Sequence, residues 1–169
     1  MAHSTVVKNF RDGTLLIEDG TGTPNAFTVI YEAGDFSISG IVQGQKETTV
    51  YLDRGDLGSL RHTSASFPSG SFSMHMVDLS DGSYATAIDL MLQTGKFVAG
   101  GGTPGVSTLG ANSEVYTVKL TLTIEGSDHG DDSDHTIVLD DCLCSIDAAE
   151  GDGNSLSVSF TCYGSITLT

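Results

Sequence analysis

The sequence contains no tryptophan and very few basic residues. Its 169 residues include seven Lys and Arg against 22 Asp and Glu, and the formal net charge at pH 7 is −15. Proteins that bind nucleic acids through the phosphates, or bind anionic membrane surfaces, need clustered Lys and Arg. The composition therefore argues against both classes of partner. A charge of this size favours solubility, and it also produces a surface to which polyanions do not adhere.

Cysteine and long apolar runs are also scarce. The three cysteines are too few for a disulfide framework. No apolar run approaches the roughly 20 residues that a membrane-spanning helix requires, and the first residues, up to Lys8, lack the apolar core of a signal peptide. We therefore expect synthesis in a reducing cytoplasm and no membrane partner.

Glycine, by contrast, is abundant, with 21 residues, and short polar breaks separate runs of alternating polarity. This pattern is typical of an all-β sandwich or barrel. The length suits a single domain covering residues 1–169, in which residues 1–12 are weakly patterned and form an N-terminal arm.

The clearest strands lie in the last third of the chain. From Tyr116 to Ile124 and from Leu156 to Leu168, apolar residues alternate with Ser, Thr or Lys. Side chains on a strand alternate between its two faces, so each run predicts a strand with one buried face. Between them, Val138, Cys142, Cys144 and Ile146 share one phase of a further strand. We expect the last run to be one strand roughly 40 Å long.

Shorter runs in the first half also predict strands. They comprise Thr14 to Glu18, Asn25 to Glu32, Thr48 to Leu52 and Ser71 to Asp78, the last with Phe72, Met74 and Met76 on one face. Phe36, Ile38 and Ile41 continue the second run after Gly34. The two pieces are either one bent strand with a bulge or two strands joined by a tight turn.

One segment predicts a helix. From Tyr84 to Gln93, the residues Tyr84, Ala87, Ile88, Met91 and Leu92 fall on one helical face, and Gly95 suits a C-terminal stop. A single amphipathic helix in a β-rich chain should pack across an open end or face of the sheet. The Gly-rich stretch from Lys96 to Ser113 lacks the spacing of a phosphate-binding loop.

The segment from about residue 40 to 69 has the weakest pattern. Within it, Asp53 to Ser66 indicates a loop that holds Asp53, Arg54, Asp56 and Arg61 and only two apolar residues. Long loops inside compact domains are usually functional. Arg54-Gly55-Asp56 matches an integrin-binding tripeptide, a match common by chance. As one of the few basic spots on an acidic chain, this loop is better suited to contact an acidic surface on another copy.

No motif predicts catalysis or a cofactor. The cluster His129, Asp131, Asp132, Asp134 and His135 resembles a metal site, but its spacing does not fit a Ca²⁺-binding loop. Cys142, Cys144 and Cys162 lack a fourth zinc ligand and are expected to be buried free thiols. There is no Gly-x-Ser-x-Gly elbow. We expect no metal, no cofactor and no enzymatic activity.

Taken in order, these stretches resemble the tail tube (major tail) proteins of long-tailed bacteriophages. The resemblance covers nearly the whole chain and rests on arrangement, since no single motif is diagnostic. It is carried by TLLIED (14–19), FTVIYEAGDFSIS (27–39), KETTVYLDRGDLGSLRHT (46–63), the helix 84–93, EVYTVKLTLTIEG (114–126), and the hairpin through Asp140-Asp141-Cys142 and AEGD (149–152) to the C-terminus.

The resemblance implies an antiparallel β-sandwich or half-barrel with one flanking helix. Six subunits would form a ring around an acidic channel for genomic DNA, which would pass without specific binding. Rings would stack through the long loop at about 40–69, in which Asp53, Arg54, Asp56 and Arg61 would form the subunit interface. The protein would then reside in the virion tail, with other tail proteins (tape measure, terminator, baseplate or tip) as partners.

Elementary physics agrees with this expectation, because unpaired sheet edges invite another chain and a closed ring removes them. Alternatives remain open. The protein could be another virion component, such as a tail terminator or a head-decoration protein, or a carbohydrate-binding β-sandwich, although the latter normally exposes Trp. The residues do not decide whether the Ser/Thr face of the last strand lines a channel or meets a subunit.

Overall fold

A computed structural model describes residues 13–29, 35–75, 87–92, 105–125, 133–150 and 155–169. The elements are β1 (Gly13–Glu18), β2 (Ala26–Thr28), β3 (Ser37–Ser39), a 3₁₀ turn (Gln43–Gln45), β4 (Lys46–Asp53), β5 (Asp56–Ala65), β6 (Ser69–His75), α1 (Ala87–Leu92), β7 (Val118–Ile124), β8 (His135–Ala149), β9 (Ser155–Cys162) and β10 (Ile166–Leu168). The N-terminal arm proposed for residues 1–12 lies outside these ranges.

The described strands form one eight-stranded sheet and one separate hairpin. The sheet has the order β2-β1-β7-β8-β9-β6-β3, and β10 pairs with the first half of β8. Every pairing is antiparallel, which confirms the predicted all-β, antiparallel class with a helix. β4 and β5 pair only with each other among these strands.

One face of the sheet covers a single core. The buried side chains form one cluster with those of α1, and that cluster draws on β1, β6, β7, β8 and β9. The helix packs against β1, β2 and β8, across the sheet as expected.

Alternation identified the core correctly in β6, β7 and β9. Their buried residues are Phe72 and Met74; Val118, Leu120, Leu122 and Ile124; and Leu156, Val158, Phe160 and Cys162. On α1, Ala87 and Met91 are buried as predicted, but Leu92 is exposed and Leu90 takes its place. Met76, Tyr84 and Gln93 lie outside the described residues.

Two expectations about the C-terminal strands are wrong. The final run is not one strand, because β9 ends at Cys162 and β10 begins at Ile166; a Cβ at Gly164 would lie 2.7 Å from the Asp140 carbonyl oxygen, so this bend needs glycine. The phase of β8 also changes. The register between β7 and β8 shifts between Val118 and Leu120, and Asp141 has φ 52°. This bulge buries Leu139 in place of Val138.

The two pieces around Gly34 are two strands, but they do not form a hairpin. β2 and β3 lie at opposite ends of the sheet, where β2 pairs with β1 and β3 with β6. Phe36 and Ile38 pack against the core as expected, whereas Ile41 is exposed. Each of these three-residue strands is paired on one side only within the described sheet.

Candidate assembly surface

The segment predicted to be a loop is largely a β-hairpin. The prediction for Asp53 to Ser66 is wrong, because Asp56–Ala65 forms β5 and pairs with β4 along its whole length. The expected strand at Thr48 to Leu52 is confirmed within β4. Arg54 (φ 50°) and Gly55 (φ 97°) connect the strands. A two-residue hairpin turn with two positive φ angles twists in the sense that its strands require, and glycine adopts it without strain.

The hairpin projects from the body of the protein. Of its strand residues only Thr49 and Ser59 are partly covered, and all others are exposed. At its base, the Ser66 amide donates to the Gln45 carbonyl (2.7 Å) and the Ser66 hydroxyl donates to the Gly40 carbonyl (3.1 Å). These bonds fix where the hairpin leaves the sheet. The loop failed to show strand periodicity because neither face is buried within the chain.

The four predicted interface residues all lie on this hairpin. Asp53 and Asp56 are directly opposite each other at the end of the strands, with Arg54 in the turn between them. Arg61 pairs with Thr49, about 17 Å along β5 from the turn at ~3.4 Å per residue. The structure therefore brings three of the four together and places Arg61 farther toward the base.

A second polar region surrounds the β8 bulge, and its residues were not singled out from the sequence. The buried Asp19 carboxylate accepts bonds from the Thr21 and Asn25 amides (3.1 and 2.9 Å) and from their side chains (2.8 and 2.7 Å). Thr108 donates to Asp141 (2.6 Å) and Ser165 donates to Asp140 (2.6 Å). These bonds hold the 105–117 loop and the C-terminal bend against the sheet.

This region also forms an open crevice of about 360 Å³ between Asp19, Lys119 and Asp140. Lys119 is paired with Glu18 at 2.6 Å. The carboxylates named above accept hydrogen bonds from within the chain. We therefore interpret the crevice as the place where the 105–117 loop and the C-terminal bend join the sheet.

The cysteines are free, as predicted. Cys142 and Cys162 are buried directly opposite each other on β8 and β9, and Cys144 is partly buried. The hydrogen bond shared with Cys162, together with burial, raises the pKa of Cys142, and burial raises that of Cys144 to about 12. Cys142 and Cys144 are therefore held in the neutral thiol form, which is a poor metal ligand and a poor nucleophile. The same hydrogen bond, with Cys142, lowers the pKa of Cys162.

Among the residues that the structure describes, no group of three or more His, Cys, Asp and Glu side chains is arranged to hold a metal ion. Most of the metal-like cluster noted in the sequence, including His129, Asp131 and Asp132, lies outside the described residues. The helix that the structure describes is neither long nor apolar enough to cross a membrane.

Comparison with known proteins supplies the fold relationship. No protein-family model matches the chain, and no curated protein sequence is significantly similar to it. Solved structures do match. The sheath/tube terminator of an extracellular contractile injection system (PVC) has a TM-score of 0.57 at 10% identity, covering 99% of each chain. The tube-terminating cap of the anti-feeding prophage (AFP) has 0.56 at 10% identity, covering 100% of this chain and 94% of the other.

A third structure comes from the PVC sheath–tube complex. It has a TM-score of 0.51 at 9% identity and covers 92% of this chain and 87% of the other. At such low identity the similarity establishes a shared fold alone. The chain thus has an antiparallel β fold of the tail-tube type, found in proteins of phage-tail-like particles.

Proposed function

We propose that the chain is a self-assembling structural protein of a phage tail or a phage-tail-like particle, with no catalytic role. The supporting observation is that its fold matches a tube terminator over 99% of both chains. Two features of the molecule suit such a role. The β4–β5 hairpin is exposed on both faces, and the end strands β2 and β3 each have an unpaired edge in the described sheet.

The assembly that follows from these features is a ring, proposed to contain six copies. Edges of neighbouring copies would pair and remove the unpaired N–H and C=O groups, and the hairpin with Asp53, Arg54, Asp56 and Arg61 would contact the next ring. In the tail tube role, rings stack around a channel for DNA. The net charge of −15 supports passage without binding, because it repels phosphates.

A second candidate is a terminator that closes the end of a tube. It is favoured by the similarity of the fold to a sheath/tube terminator (TM-score 0.57) and to a tube-terminating cap (TM-score 0.56). In either role the protein resides in the particle, and its partners are further copies of itself and other tail proteins, including the tape measure and baseplate or tip proteins.

Imaging of the purified protein tests the proposal. Sedimentation velocity over a range of concentrations, followed by negative-stain electron microscopy, should show rings or tubes. Tubes identify the stacking role, and single rings that never stack identify the terminator. A strictly monodisperse monomer at the highest concentration contradicts both.

A further inference from the structure

The β4–β5 hairpin has one apolar face. Val50 pairs with Leu60, and Leu52 pairs with Leu57. Directly opposed residues share a face, as do residues two apart on one strand. An irregularity between Tyr51 and Leu52 leaves Gly58 without a partner, which brings both leucines of β5 onto the same side. We call these four residues the apolar hairpin face, and their exposed fractions run from 51% for Val50 to 67% for Leu57.

The body carries a second exposed apolar surface, close to the base of the hairpin. The rings of Phe67 and Tyr163 are in contact, with centroids 5.0 Å apart. Leu143 lies opposite Thr161 and shares its face of the sheet, while the neighbouring Cys142 and Cys162 are buried on the other face. Tyr163 follows just after β9 ends and is exposed. We call Phe67, Leu143 and Tyr163 the aromatic patch. Their exposed fractions are 52%, 39% and 46%.

The charges favour another copy of this chain as the partner of the hairpin. Within β4, β5 and their turn, Lys46, Arg54 and Arg61 balance Glu47, Asp53 and Asp56, although the whole chain carries −15. A neutral hairpin can approach the strongly acidic surface of a second copy without the repulsion that two acidic surfaces would experience.

The surroundings of the aromatic patch complement the tip of the hairpin. Asp140 and Asp141 adjoin the patch along the chain: the Tyr163 amide donates to the Asp141 carbonyl (3.1 Å), and the Asp140 carboxylate accepts from Ser165, two residues after Tyr163. Each carboxylate accepts one hydroxyl bond within the chain and has the capacity to accept more. Arg54, in the hairpin turn, carries the positive charge and the N–H donors that these carboxylates can bind.

We infer that the apolar hairpin face of one copy packs on the aromatic patch of the next copy, with Arg54 toward Asp140 and Asp141. This inference rests on the proposed self-assembly and names the two surfaces that meet. The contact is heterologous, since a hairpin meets a patch and not another hairpin. Each copy therefore gives one hairpin and receives one, and the contact repeats until it closes a ring or extends a stack.

Mixing two defective variants tests the contact. Leu57→Asn with Leu60→Asn destroys the hairpin face and keeps the patch, while Phe67→Asn with Tyr163→Asn does the reverse, and neither pair changes the charge. In sedimentation velocity, each variant alone should form nothing larger than the ring that edge pairing closes. Because their intact surfaces are complementary, an equimolar mixture should form a paired species of twice the mass of either variant alone and nothing larger. Thr49→Asn with Ser59→Asn, on the opposite hairpin face, is the matched control and should stack like the parent.

The possible results separate the contact from the proposed function. Wild-type rings or tubes combined with no pairing in the mixture overturn the contact and leave the function standing. Pairing in the mixture, with wild-type polymers that are neither rings nor tubes, supports the contact and overturns the function. A wild-type chain that stays monomeric overturns both. Unchanged circular dichroism and thermal midpoints of the variants confirm that each one is folded.

A crosslink locates the two surfaces directly. A Leu57→Cys chain mixed with a Tyr163→Cys chain should give a covalent dimer with a short bismaleimide, whereas Thr49→Cys in place of Leu57→Cys should not. Both chains also carry Cys144→Ala, because Cys144 is only partly buried, whereas Cys142 and Cys162 are buried and give little background. Equal crosslinking of the Leu57→Cys and Thr49→Cys chains would place the contact elsewhere.

Discussion

Val50 of β4 lies directly opposite Leu60 of β5, and more than half of each residue is exposed, 51% and 61%. In a globular core such a pair would be covered. An isolated two-stranded hairpin is only marginally stable in water, and this one contributes nothing to the core cluster. We therefore propose that contacts with another copy stabilise this hairpin.

Hydrogen exchange should reveal this dependence. In dilute, unassembled protein the amides of β4 and β5 are expected to exchange much faster than those of β7 and β8, because the hairpin opens without disturbing the core. After assembly the hairpin amides should become protected, while those of β7 change little. Hairpin amides that are as protected in the monomer as the β7 amides would contradict the idea that another copy stabilises them.

The charges of the hairpin give a second prediction. Replacing Arg54 and Arg61 with Glu changes the neutral hairpin to an acidic one, so stacking should fail through repulsion from the neighbouring copy. The fold should remain, since both side chains are exposed. Sedimentation velocity measures the loss. The Arg54→Lys, Arg61→Lys variant keeps the charge and should still assemble, more weakly at high salt. Tubes formed normally by the Glu variant would remove these residues from the interface.

Sequence periodicity identified core residues most reliably in the strands with a buried face. In β7 and β9 every second residue enters the core, so apolar and polar residues alternate. β5 was missed because both of its faces are exposed within the chain, so no core imposes a pattern on it. The Asp-Arg-Gly-Asp turn was the available signal, since Gly after a polar residue favours a two-residue hairpin.

The candidate assembly surface could be predicted from the sequence only in part. Residue type alone marked Arg54 and Arg61 as scarce cations. The apolar hairpin face could not be found without the pairing of Val50 with Leu60, because a segment assigned as loop has no faces. The bulge at Asp141 was hidden as well, since an Asp-Asp pair does not distinguish a bulge from regular strand, and the burial of Leu139 depends on it.

Gly70 of β6 is a site where one methyl group should be costly. A Cβ there would lie 2.1 Å from the Ser37 carbonyl oxygen and 2.5 Å from the Phe160 ring. Gly70→Ala is therefore expected to lower the free energy of unfolding by roughly 3 kcal/mol, equivalent to about 10 °C in melting temperature. Calorimetry of the unassembled protein measures this. Gly22→Ala is the matched control, since nothing lies within 4 Å of its added Cβ. Equal effects of the two substitutions would show that β3 does not pack on β6 as described.

Tyr116 provides a prediction that is specific to alkaline pH. Its hydroxyl is buried, and no hydrogen-bond partner is found for it among the described residues. Burial, followed by the charge of Asp19, raises the pKa of Tyr116 to about 12 from an ordinary value of about 10. Between these values the unfolded chain loses a proton that the folded chain keeps. The contribution of Tyr116 to stability is therefore complete below pH 10 and falls as the pH rises toward 12.

Tyr116→Phe should change two measured quantities, the stability at pH 7 and its dependence on alkaline pH. At pH 7 the free energy of unfolding should rise by about 1 kcal/mol, because a buried hydroxyl without a partner is removed. Urea titrations between pH 9 and 12 should also show a shallower loss of stability than in the parent. Cys144 contributes the same pH dependence of stability in both proteins, since burial raises its pKa to about 12 as well. Cys144→Ala is therefore the comparison that separates the contribution of Tyr116 from that of Cys144. A Tyr116→Phe protein that is less stable at pH 7 would mean that the hydroxyl is hydrogen-bonded in solution, and the 105–117 loop would then need a different account.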